Sequence, residues 1–144
     1  MTQTVEQALS EATFYGDNQT YAFVQLPAAG ITAAAGVIAE IGEPFCALVV
    51  DKDEVSLLIP NEALQDFARR LPGHVAAPTV YRLITIDVAL EADLVGLMAR
   101  VSQALAQAGV PIFPFAAYTR DHLVVPADKF EIALKTLENL KAAG

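Results

Sequence analysis

Apolar positions along the chain switch between a period near two and a period near 3.6, and the switch points divide it into elements. Residues 21–26, Tyr-Ala-Phe-Val-Gln-Leu, read as a strand closed by Pro27. Residues 28–41 are Ala-rich, with Ile31, Val37, Ile38 and Ile41 apolar and Gly42 where a helix would stop. Residues 45–50 are a continuous apolar run, residues 51–54 a charged turn and residues 55–59 a return strand, which together predict a hairpin. Pro60-Asn61 opens a predicted helix through Leu71, with Asn61 as N-cap and Leu64, Phe67, Ala68 and Leu71 inward. Upstream, Val5, Ala8, Leu9 and Ala12 suggest a short helix, followed by a turn at Gly16-Asp17-Asn18.

After a linker at residues 72–78, the second half repeats this order. A strand at 80–88 is followed by a helix over roughly 93–108 that ends at Gly109, then strands at 112–118 and 122–125. Pro126 precedes a last helix with Phe130, Ala133, Leu134, Leu137 and Leu140 on its apolar face. Leu57-Leu58-Ile59-Pro60 superimposes on Leu123-Val124-Val125-Pro126, 66 residues on. Each half therefore reads strand–helix–strand–strand–helix, an α+β pattern expected to give a small antiparallel sheet with helices on one face. The predicted units are residues 1–76 and 77–144. A half of this size buries only a modest core, so the units are expected to cover each other's sheet edges or those of a second copy, giving a homodimer.

Composition narrows the classes. The 144 residues are 54% hydrophobic and 18% charged, which supports a packed core rather than disorder. Lys and Arg total 9 against 17 Asp and Glu, a net charge of −8. Scattered cations on an acidic chain argue against nucleic acid and against an anionic membrane surface. No apolar run is long enough to span a bilayer, and the first residues lack the basic start and apolar core of a signal peptide, so a cytoplasmic location is expected. One cysteine, Cys46, excludes an internal disulfide and a multi-cysteine zinc site.

The most informative stretch is the turn at residues 90–96, Leu-Glu-Ala-Asp-Leu-Val-Gly, between the strand at 80–88 and a helix carrying Leu97, Met98, Val101 and Leu105. A helix N-terminus has unpaired N–H groups and a partial positive charge, so it suits a carboxylate. Glu91 and Asp93 suit an ammonium group, and the two poles together describe an α-amino acid. The plainer reading makes Asp93 an N-cap and Glu91 a partner of the helix dipole. Gly96, without a Cβ, allows close approach of a ligand or close helix–sheet packing.

Residues 90–99 followed by 105–112, Leu-Ala-Gln-Ala-Gly-Val-Pro-Ile, resemble the ACT domain, a regulatory domain named after aspartate kinase, chorismate mutase and prephenate dehydrogenase. Residues 115–126, with Tyr118, Asp121 and His122, resemble more closely a branch of small bacterial tandem-ACT proteins of unassigned function, as does Tyr21-Ala22-Phe23-Val24. The resemblance implies two ferredoxin-like βαββαβ units in tandem, the first divergent. It also implies an effector, usually an amino acid or similar small zwitterion, bound near a neighbouring unit. Carried over by position, the contacting residues are Glu91, Asp93, Leu94, Val95 and Gly96, with Tyr118, Asp121 and His122 on the adjacent hairpin. The chain departs from the pattern at Ala117, where a small polar residue is common, and at Ala28-Ala29-Gly30-Ile31, where the first repeat has no acid.

Other chemistry finds little support. Asp121 and His122 are adjacent in a strand and point to opposite faces, so they cannot readily share a metal ion, and His74 is the only other histidine. A structural His122 bonded to a hairpin carbonyl is the simpler reading. The acidic turn at 51–54 lacks the spacing and central Gly of a calcium loop. Phosphate-loop, dinucleotide and nucleophile-elbow motifs are absent. The expected protein is thus a non-enzymatic, cofactor-free regulatory or sensor protein that binds an amino acid and acts on a regulatory protein partner. The alternative is an adaptor that uses its ACT units only for assembly.

Overall fold

The computed structural model describes residues 3–143. These form two compact units, each α+β with an antiparallel sheet and helices on one face. In chain order the elements are α1 (Val5–Glu11), β1 (Thr13–Tyr15), β2 (Tyr21–Pro27), α2 (Ile31–Ile41), β3 (Ala47–Val50), β4 (Glu54–Pro60), α3 (Asn61–Phe67), β5 (Val75–Ala76), β6 (Tyr81–Asp87), α4 (Leu97–Gln107), β7 (Phe113–Ala116), β8 (Asp121–Pro126) and α5 (Phe130–Ala143).

The first unit, Asn18–Tyr81, is a complete ferredoxin-like βαββαβ: β2, α2, β3, β4, α3, β5. Its sheet order is β3-β4-β2-β5, with β2 antiparallel to both β4 and β5. The predicted hairpin at 45–59 is present, paired from Ala47↔Leu58 to Val50↔Val55. The predicted linker at 72–78 is partly sheet: Val75 and Ala76 pair with Gln25 and Val24. The Pro and Gly residues around these two hid a strand too short to show any alternation. Asn61 is not the N-cap predicted for α3. Pro60 holds that place, and Asn61 donates from Nδ2 to Thr20 Oγ1 at 3.0 Å. The core joins Val24, Leu26, Val37, Leu57, Ile59 and Leu71.

The second unit comprises Arg82 onward together with the residues up to Asp17. This differs from a division at 76/77, and the reason is topological. The second repeat, β6-α4-β7-β8-α5, ends on a helix and lacks its fourth strand. Strand β1 supplies it, pairing antiparallel with β6 from Thr13↔Asp87 to Tyr15↔Thr85. The order β1-β6-β8-β7 is therefore the same as β5-β2-β4-β3 in the first unit. Helix α1, closed by a capping box between Thr4 and Gln7, lies against α4 and α5. Ala8, Leu9 and Phe14 join Ile84, Ile86, Val101, Leu105, Leu123, Val125 and Leu137 in one core. The predicted 66-residue repeat is visible in the backbone: Pro60 (φ −54°, ψ 140°) and Pro126 (φ −56°, ψ 140°) end their strands in the same conformation.

Candidate functional site

In the first unit β2 runs straight into a 3-10 turn at Ala28–Gly30 and then into α2. In the second unit the corresponding strand and helix are separated by residues 88–96, so only here does the crossover open into a loop. Helix α4 starts at Leu97, later than the predicted 93, because Gly96 has φ +102°, a left-handed value from which an α-helix cannot propagate backwards. Gly96 is itself the N-cap. No side chain caps this helix, so Asp93 does not do so. Leu94 N–H donates to the Glu91 carbonyl (3.1 Å), and Arg100 N–H donates to the Gly96 carbonyl (3.0 Å) as the first bond of α4.

The loop and the first turn of α4 enclose a hollow of about 340 Å³. Its walls are Leu90, Glu91, residues 94–99 and, from β8, Asp121. The first N–H groups of a helix have no intrahelical acceptor, and the residues at the start of α4, Gly96 to Ala99, line this space. Apolar side chains, including Leu94, Leu97 and Met98, supply most of the wall; Glu91 and Asp121 supply the charge. Of the residues predicted to meet a ligand, the fold thus gathers Glu91, Leu94, Val95, Gly96 and Asp121 around one hollow. Asp93 and Tyr118 are exposed and off it.

Strand alternation explains the rest. Asp121, Leu123 and Val125 share the helix-covered face, on which Leu123 and Val125 enter the core. His122 points the other way, and its Nδ1 is hydrogen-bonded to the Thr85 hydroxyl at 2.9 Å. Burial, and then the Arg120 guanidinium, hold its imidazole below the usual histidine value, with Asp121 opposing them. Arg120 also ties the hairpin turn to the end of β6 and to β1, through Asp87 (3.8 Å) and the Tyr15 hydroxyl (3.4 Å).

Leu97, Met98 and Ala99 also line the hollow, although the spacing of Leu97 and Met98 marked those two only as an apolar helix face. Gln3 belongs to its supports: Glu91 N–H donates to Gln3 Oε1 (3.0 Å), and Gln3 Nε2 donates to the Ala89 carbonyl (2.9 Å). No local signal could have linked residues 86 and 88 positions apart.

A second hollow, about 360 Å³, lies in the first unit and is bordered by Glu40, Glu43, Glu62 and Asp66. Glu40 is bonded to Arg70, and the helix that starts there, α3, presents Glu62 in its first turn, which repels a carboxylate. Among the described residues no group of three or more His, Cys, Asp or Glu could hold a metal ion. Among the described residues no helix is long and apolar enough to cross a membrane. Cys46 packs against the first unit's core, and burial pushes its thiol up, away from the reactive thiolate.

The fold is a tandem of ferredoxin-like units, and the hollow at residues 90–99 lies in the second. Residues 76–139 match the family model of the ACT domain, and this stretch of the chain is an ACT domain. The first unit, outside the matched segment, has the same strand order as the second. No curated protein matches it in sequence. Among solved structures it is similar to a Vibrio cholerae protein of unknown function described as a possible transport protein (24% identity, TM-score 0.75, 96% of each chain covered). It is also similar to an Agrobacterium tumefaciens protein (20% identity, TM-score 0.70, covering 90% of this chain and 89% of that one). A third is the ligand-free regulatory subunit of aspartate kinase from Thermus thermophilus (16% identity, TM-score 0.66, covering 88% of this chain and 96% of that one). These likenesses show the fold. The family match gives the second unit a general class, that of regulatory ligand-binding domains.

Proposed function

We propose that the protein is a regulatory sensor whose second unit binds an amino acid with an apolar side chain in the hollow at residues 90–99. The observation that carries this reading is the composition of that hollow. The N-terminus of α4 suits the ligand's carboxylate, Asp121 and Glu91 suit its ammonium group, and Leu94, Leu97 and Met98 suit an aliphatic side chain. With two carboxylates and no Lys, Arg or His on the wall, aspartate and glutamate are disfavoured. The first unit, whose strand passes directly into its helix, is assigned to assembly. Strands β3 and β7 end their respective sheets, and pairing along such an edge would give the expected homodimer. The role is regulatory rather than catalytic: ligand in the hollow biases the protein's conformations and so its engagement with a partner protein.

A thermal-shift screen of the twenty amino acids tests this. A ligand present at 100 times its Kd stabilises by about 2.7 kcal/mol, enough to raise the midpoint by several degrees. Leucine, isoleucine, valine or methionine should give the largest shift. A flat response to all twenty at millimolar concentration, with a stable partner protein retained in pull-downs, would favour the adaptor reading instead.

A further inference from the structure

Residues 88–96 have no helix or strand of their own, yet the hollow depends on their shape. Among the described residues, and apart from the first bond of α4 (Arg100 N–H to the Gly96 carbonyl), the hydrogen bonds that tie this loop to the rest of the fold are the two made by Gln3. A carboxamide carries an acceptor and a donor side by side, as a strand's backbone does. Here the acceptor takes the Glu91 N–H at 3.0 Å and the donor meets the Ala89 carbonyl at 2.9 Å. One side chain thereby imitates a β-bridge along the loop.

The place from which Gln3 acts is itself anchored. Thr4 and Gln7 satisfy each other at the start of α1, with Gln7 N–H to Thr4 Oγ1 at 3.1 Å and Thr4 N–H to Gln7 Oε1 at 2.9 Å. Ala8 and Leu9 are wholly buried in the second unit's core. Two further contacts run from α1 to the same end of α4. The Val5 Cγ2 methyl lies 3.5 Å from where a Cβ on Gly96 would stand, and Arg100 donates to Glu6 at 3.3 Å. The segment 3–6 thus follows the loop from Ala89 to the first turn of α4.

We infer that Gln3 is a positioning residue for the ligand hollow, holding the loop at Ala89 and Glu91 in the shape that admits an amino acid. This rests on the amino-acid-binding reading above and extends it to a residue outside the matched ACT segment. Without Gln3 the loop must be ordered when ligand arrives, and that ordering weakens binding.

The test uses the full chain and Gln3→Ala, with Gln3→Glu as the conservative variant that retains the acceptor for Glu91 N–H but not the donor. Amide hydrogen exchange is followed by NMR, and L-leucine is titrated by calorimetry. In Gln3→Ala, exchange at Glu91 should speed roughly tenfold, while core amides such as Ile84 and Leu105 keep their rates. The affinity for L-leucine should fall roughly tenfold, with Gln3→Glu in between. Unchanged exchange at Glu91 overturns the inference. So does acceleration shared equally by the core amides, or faster loop exchange with L-leucine binding unaltered. If the parent chain binds none of L-leucine, L-isoleucine, L-valine and L-methionine, the ligand reading fails and Gln3 is judged on exchange alone.

Discussion

Thr85 Oγ1 and His122 Nδ1 lie 2.9 Å apart on the sheet face away from the second unit's helices, so His122 turns its back on the hollow that Asp121 lines. The pair makes His122 a stability group. Its folded-state pKa is lowered, by burial first and by Arg120 second. As pH falls below the unfolded value of about 6.5, the unfolded chain takes up a proton that the folded chain resists. The stability tied to His122 is therefore complete above about pH 6.5 and is lost as pH falls toward the folded-state value. His122→Gln should lose less melting temperature than the parent between pH 7 and pH 5.5 in scanning calorimetry. Equal losses in the two proteins would mean that His122 does not titrate in this way.

Gly96 is needed for its backbone angle more than for space. An added Cβ would meet Val5 Cγ2 at 3.5 Å, an ordinary contact, but the φ of +102° disfavours any L side chain. Gly96→Ala should cost about 1–2 kcal/mol and Gly96→Asn less, since Asn adopts left-handed angles more readily. Denaturant melts of the three proteins check the ranking. If alanine and asparagine cost the same, the backbone is not the cause.

Leu9 tests the membership of the second unit. It is wholly buried in the core that includes Val101, Leu105 and Leu137, so Leu9→Ala should cost about 2–5 kcal/mol. Hydrogen exchange should then quicken across residues 82–143 more than across residues 18–81. Faster exchange in the first unit alone would place α1 elsewhere.

Asp121 and Asp93 separate ligand chemistry from loop charge. Asp121 lines the hollow and Asp93 does not. Asp121→Asn should weaken the best amino acid of the screen roughly tenfold or more, the scale of a lost charge-assisted hydrogen bond, whereas Asp93→Asn should leave it within about twofold. Calorimetric titration of both variants decides. Equal effects would show that Asp121 acts only through the general field.

Much of the architecture was legible in the residue pattern. The 3.6-residue spacing of Val101 and Leu105, the hairpin at 45–59 and the repeat from Pro60 to Pro126 are local signals, and each corresponds to an element in the fold. The errors came where local signals compete. Asp93 has the chemistry of an N-cap, but the left-handed Gly96 stops the helix short of it. Asn61 has the same chemistry, but Pro60 takes the cap and Asn61 bonds to Thr20. Tyr118 and His122 sit in the right stretch of sequence, yet one is exposed and the other faces the opposite side of the sheet.

By itself the sequence determined the α+β class and the tandem repeat, because periodicity and turn chemistry are carried by residues close together in the chain. Only the tertiary structure decided that β1 completes the second unit, that Asp121 closes the hollow while His122 does not, and that Gln3 fastens the loop. Those facts rest on pairings across many intervening residues, where strand register and side-chain geometry select the partner and no short stretch of sequence records the choice.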